Sequence, residues 1–93
     1  MKRTLLKTNA FVRSAKRIIR KDHQLANQIR ETLILLSEDA FHPYLKTHKL
    51  KGNLEGSWAC SVGYDLRIVF EFVSHKDGEA VLLEAIGTHN EVY

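Results

Sequence analysis

Cysteine, proline and glycine are scarce in this 93-residue chain, and each scarcity removes an option. The lone cysteine, Cys60, excludes an internal disulfide and any zinc site built from several cysteines. It shares a strand face with Trp58 and Val62, which reads as a buried, inert thiol. Pro43 is the only proline, and no run of glycines forms a phosphate-cradling loop. No His-x-His or His-Glu-x-x-His pair is present, so a metal centre lacks its usual ligand spacing. No apolar run nears the roughly 20 residues of a membrane span, and no charged-then-apolar signal segment opens the chain. These absences predict a protein of the reducing cytoplasm with no membrane contact. Negative charge is missing from one end. Eight basic residues stand between Lys2 and Lys21 with no carboxylate among them, and all eleven carboxylates lie from Asp22 onward. That asymmetry sets a polyanion or an acidic partner against the N-terminal third, and a solvated basic helix face fits it as well.

What is present suits one domain over residues 1–93, with enough apolar content for a single modest core. Thr4 to Thr8 reads as a short strand. Asn9 is placed to cap a helix to about Lys21, with Phe11, Val12, Ala15, Ile18 and Ile19 on one face and Arg13, Lys16, Arg17 and Arg20 on the remainder. Asp22 is placed to cap a second helix carrying Leu25, Ile29, Leu33 and Leu36, and Ser37-Glu38-Asp39 ends it. The short break between them predicts an antiparallel hairpin. Phe41 to Lys51 reads as an extended connection, aromatic and basic together, with a turn at Gly52-Asn53.

From Ser57 the hydrophobic period becomes two. Trp58, Cys60 and Val62 alternate with small residues, Gly63-Tyr64-Asp65 turns the chain, and Ile68, Phe70 and Phe72 share the next face. Asp77-Gly78 is a hairpin turn, and Ala80 to Ile86 is the last strand. The order predicts an α+β fold: an N-terminal strand, a helical hairpin, then a three-stranded antiparallel meander in a twisted sheet covered on one face by the hairpin. The first strand can join at the edge beside the Trp58 strand or at the centre.

The polar face of the meander carries Ser61 and Arg67, with His89 following the neighbouring strand and His48 entering from the loop before the sheet. With Asp65 and Tyr93 this makes one candidate surface of imidazole, guanidinium, carboxylate and phenol. Such parts can cut RNA without a metal: a base takes the 2′-hydroxyl proton, a cation stabilises the phosphorane, and an acid protonates the leaving 5′-oxygen. Histidine suits both proton roles because it titrates near neutrality. The stretch from Ala85 to Tyr93 is open to two readings, a docked packing segment led by Val92 or a carrier of chemistry.

Three stretches carry a resemblance. They are His48-Lys49-Leu50-Lys51-Gly52 with Gly56, then Trp58 followed by Val62-Gly63-Tyr64-Asp65-Leu66-Arg67-Ile68-Val69-Phe70, then Ile86-Gly87-Thr88-His89-Asn90-Glu91-Val92-Tyr93. In this order they resemble the RelE/ParE superfamily of bacterial toxins, closest to its YafQ/RelE ribonuclease branch, and the likeness spans nearly the whole chain. It implies a toxin that enters the ribosomal A site and cuts mRNA there, using no cofactor and no metal. It also implies a cognate antitoxin encoded beside the toxin, whose complex often binds operator DNA.

By that resemblance His48, Asp65, Arg67, His89 and Tyr93 are the catalytic set. His48 is the preferred base and His89 the preferred acid, Arg67 contacts the scissile phosphate, and Tyr93 stacks on a base or orients the phosphate. Gly87 becomes a bend that frees His89 from the strand. Arg13, Lys16, Arg17 and Arg20 with Lys46, Lys49 and Lys51 become the RNA and ribosome contacts. Three positions depart from the pattern. Ser61 stands where YafQ-type members carry histidine, Leu66 where they carry tryptophan, and Ala85 where they carry a basic residue. Arg67 then serves as the phosphate clamp that Ala85 cannot be. A ParE-like DNA gyrase inhibitor and a degenerate, non-catalytic toxin are the competing readings.

Overall fold

The computed structural model describes residues 2–93. Five strands and three helices follow in the order β1 (Thr4–Lys7), α1 (Asn9–Lys21), α2 (Leu25–Glu38), β2 (His48–Lys49), β3 (Trp58–Val62), β4 (Leu66–His75), β5 (Gly78–Thr88) and α3 (His89–Val92). Short 3-10 turns at Pro43–Leu45 and Gly52–Leu54 flank β2. The α+β class, the helical hairpin and the antiparallel meander are as the periodicity predicts. No helix among the described residues is long and apolar enough to cross a membrane.

Several local expectations shift. Thr8 rather than Asn9 caps α1, because Thr8 is still extended while Asn9 is already helical. Its Oγ1 accepts the Phe11 N–H at 3.1 Å and donates to the Leu83 carbonyl at 2.9 Å, so one hydroxyl starts the helix and ties it to β5. Asp22 closes α1 and its carboxylate accepts the Gln24 N–H at 3.1 Å, so α2 begins only at Leu25. The connection after Phe41 is not uniformly extended. Lys46 turns it in a left-handed conformation (φ 53°), and His48-Lys49 then pair with β3 as an edge strand.

The sheet order is β1-β5-β4-β3-β2. Neither placement expected for β1 is found. It lies at the edge beside β5 and runs parallel to it, Thr4 opposite Ala80 and Lys7 opposite Leu83. The anchors explain the choice: Thr8 bonds to β5, and the Arg3 guanidinium pairs with Glu79 at 2.8 Å at the start of the same strand. The two strands also bury Leu5 and Val81 together.

Both long helices cover one face of the sheet. Phe11, Ile29 and Leu36 pack there against Cys60, Val62, Ile68, Phe70, Val81, Leu83 and Ile86. A β-bulge explains how Leu83 and Ile86, three residues apart, reach the same face. Val69 pairs with Ala85 and Phe70 with Leu83, leaving Glu84 as the extra residue. The opposite face carries neither long helix, only the short α3 at the end of β5, and that is where the candidate histidines, Arg67 and Tyr93 stand.

Candidate active site

Residues directly opposite one another in a sheet share a face, so the register lays out this open surface row by row. One row runs His48, Ala59, Val69, Ala85 across β2, β3, β4 and β5. The next runs Ser61, Arg67, Gly87. Within these rows Ala59 and Val69 are buried and Ala85 is half-buried, so the groups that reach solvent are His48 at the outer rim and, in part, Arg67.

His48 is exposed on β2, not in a preceding loop, and its Nδ1 lies 2.9 Å from the Lys46 carbonyl. A carbonyl only accepts, so in the neutral ring Nδ1 carries the proton and Nε2 is left with its lone pair. The left-handed turn at Lys46 sits at the residue whose carbonyl makes this contact, a conformation that costs a lysine on the order of 1 kcal/mol.

Arg67 is half-buried, and its Nη1 donates to the carbonyls of Tyr64 at 3.1 Å and Leu66 at 2.8 Å. The β3–β4 turn therefore holds one side of the guanidinium and leaves the other nitrogens free for an anion. Gly63 enters that turn at φ +59°, and a Cβ there would lie 2.6 Å from Gln28 Oε1. Asp65 is exposed in the same turn.

β5 continues through Thr88, and α3 then folds back over its end. Thr88 and Glu91 form a capping box, with the Thr88 N–H donating to Glu91 Oε1 at 2.8 Å. This corrects the reading of Gly87 as a bend. Gly87 is inside the strand, and its value is the missing Cβ, which would lie 2.9 Å from Glu91 Oε1 and 3.3 Å from Val92 Cγ1. Val92 packs as expected, and His89 and Tyr93 face each other edge to face at 4.5 Å.

Burial raises the Tyr93 phenol above its ordinary value, with the Arg67 charge opposing, so Tyr93 stays a hydrogen-bond donor at neutral pH. The Thr88 N–H holds the Glu91 carboxyl below its usual range, with help from the Thr88 hydroxyl and the Arg17 and Lys21 charges. Burial pushes the Cys60 thiol up to about 12, confirming it as inert packing. Burial and a hydrogen bond to Glu71 raise Glu84, which also accepts the Ser57 hydroxyl at 2.9 Å.

The structure thus gathers Arg67, His89 and Tyr93 at one end of the open face, with Asp65 in the adjoining turn. His48 stands apart, since β2 and β5 are separated by three strand spacings, about 14 Å. At that spacing the strands themselves do not bring His48 into contact with the groups at the end of β5. The basic residues divide as well. Arg13, Lys16, Arg17, Arg20 and Lys21 line a shallow cleft on α1, which packs against β5. Lys49 reaches over Trp58 at 5.5 Å, beside Lys46 and Lys51 at the β2 edge. The capping box was legible as Thr-x-x-Glu at Thr88 to Glu91, whereas nothing local announces the Glu71–Glu84 pair.

The profile of a bacterial toxin of type II toxin–antitoxin systems, YafQ, matches residues 3–93. The chain belongs to this family. Solved structures agree on the fold of a YafQ-type toxin. YafQ from E. coli strain BL21(DE3) superposes with a TM-score of 0.77 at 19% identity, covering 98% of both chains. A YoeB/ParE toxin from Agrobacterium tumefaciens gives 0.77 at 17% identity, covering 92% of this chain and 98% of the other. YafQ in the E. coli DinJ–YafQ toxin–antitoxin complex gives 0.75 at 20% identity, covering 100% and 99%. No curated protein sequence matches the chain.

Proposed function

We propose that this YafQ-family toxin is an endoribonuclease that cuts mRNA on the ribosome and so arrests translation. The observation that carries the reading is the open sheet face, where a tautomer-fixed His48 and the His89–Tyr93 pair flank the turn-anchored Arg67. His48 Nε2 takes the proton of a 2′-hydroxyl, and the 2′-oxygen attacks the adjacent phosphorus. Arg67 draws charge from the equatorial oxygens of the phosphorane. His89 protonates the 5′-oxygen as its bond to phosphorus breaks, leaving a 2′,3′-cyclic phosphate and a free 5′-hydroxyl. Tyr93 orients the phosphate, and Asp65 steadies the Arg67 turn electrostatically.

The basic cleft on α1 and the lysines at the β2 edge supply phosphate contacts on two sides of the toxin. The partner holding it inactive is a cognate antitoxin, supported by the E. coli YafQ structure solved with DinJ. We infer that their complex also binds operator DNA. The deciding experiment is primer extension on a reporter mRNA with and without ribosomes. Discrete cuts that need the ribosome are expected, and His48→Ala or His89→Ala should remove them. Arrested replication with intact mRNA would replace this reading with gyrase inhibition.

A further inference from the structure

The chemistry of the site is carried by a helix of a single turn, too short to hold its own shape in water. His89 and Tyr93 are placed only if that turn is fixed by something outside its own hydrogen bonds. Two features fix it. The Glu91 carboxylate reaches back to the Thr88 N–H at 2.8 Å, closing the capping box. The same carboxylate and Val92 Cγ1 lie against the bare Cα of Gly87, so α3 is seated directly on β5. Glu91 is itself exposed.

We propose that Glu91, seated over Gly87, is a positioning residue: its clasp on Thr88 sets the His89–Tyr93 edge-to-face pair at the end of the open face. The inference rests on the cleavage reading, in which His89 is the acid. A capping box accepts glutamine as well as glutamate, so the clasp and not the charge is the active feature. Gly87 has an equally specific part, because any side chain there occupies the space of Glu91 Oε1.

The test compares Glu91→Ala, Glu91→Gln and Gly87→Ala in the full chain. The first readout is the proton spectrum of the His89 ring, whose signals are displaced by the Tyr93 ring current at 4.5 Å. The second is the separation of kcat from KM in ribosome-dependent cleavage. Glu91→Ala and Gly87→Ala should lose the ring-current displacement and lower kcat about 10- to 100-fold, with KM held within about twofold. Glu91→Gln should keep both near the parental values. The proposal is overturned if Glu91→Ala retains the displaced His89 signals, or if Glu91→Gln fails as badly as Glu91→Ala. A parental chain that cuts nothing would sink the cleavage reading alone, since the ring spectrum still reports whether Glu91 places His89.

Discussion

Ser61 stands directly opposite Arg67 across β3 and β4, and the hydroxyl brings no charge to that end of the open face. Ala85, on the neighbouring row of β5, brings none either. Under the proposed cleavage, Arg67 is therefore the one cation on these two rows placed to meet a scissile phosphate. Arg67 is equipped for it, because the turn carbonyls of Tyr64 and Leu66 fix its direction before any ligand arrives.

Arg67→Ala should therefore lower ribosome-dependent cleavage by about 10²–10³-fold, the usual effect of removing one preorganised stabiliser of transition-state charge. Arg67→Lys should recover only part of it, since an ammonium cannot grip two carbonyls and a phosphate from one planar group. Stability should drop by no more than about 0.5–1.5 kcal/mol, the net value of hydrogen bonds at a half-exposed site. Primer extension and chemical denaturation on the same preparations separate the two effects.

The contrast between this site and the fold around it is instructive about what the sequence carries. Strand β3 and the face of Ile68 and Phe70 were legible because alternation over several residues leaves few other options. The location of β1 was not, because parallel pairing to β5 depends on anchors from Thr8 and Arg3 some seventy residues away in sequence. The bulge at Glu84 was hidden for a similar reason. A single inserted residue shows only as Leu83 and Ile86 falling out of period. Within the site, residue types were legible and distances were not: nothing local tells that His48 and His89 stand about three strand spacings apart.

Gly63 offers a sharp test of the turn that holds Arg67. Gly63→Ala meets one main cost, the left-handed φ of +59°, because Gln28 Oε1 is the end of an exposed, flexible side chain that can swing away. A loss of about 1–2 kcal/mol is expected in denaturant titration. Adding Gln28→Ala should change that loss little. A double variant restored to parental stability would instead make the Gln28 contact the limit on this site.

Glu84 predicts a pH dependence of stability whose sign is opposite to that of an ordinary salt-bridged carboxylate. Its native carboxyl is raised by burial and by the Glu71 hydrogen bond, while in the unfolded chain it titrates near the usual value of about 4.3. Between those two values the native protein keeps a proton that the unfolded chain has released. Stability from this group therefore falls as pH rises through the window, and the loss is complete above the raised native value. Glu84→Gln still accepts the Ser57 hydroxyl and carries no charge. Its Tm should exceed the parental Tm at neutral pH and converge with it below about pH 4. A constant difference across that range would assign Glu84 no part in the pH response.

Removing residues 89–93 separates packing from chemistry at the end of β5. Every side chain in α3 is at least partly exposed, and the core of Phe11, Ile29, Ile68, Phe70 and Leu83 is closed without it. The truncated chain should fold, at a cost of about 1–2 kcal/mol for uncovering Gly87 and losing the Val92 contact on it. Cleavage should vanish, because His89, Tyr93 and the clasp that sets them leave together. The two readouts must diverge for the tail to be chemical. Loss of both folding and cleavage would make α3 a structural lid, and a truncated chain that still arrests growth would move the acid elsewhere on the open face. Intact folding with silent primer extension is the outcome that the seating of Val92 and Glu91 over Gly87 requires.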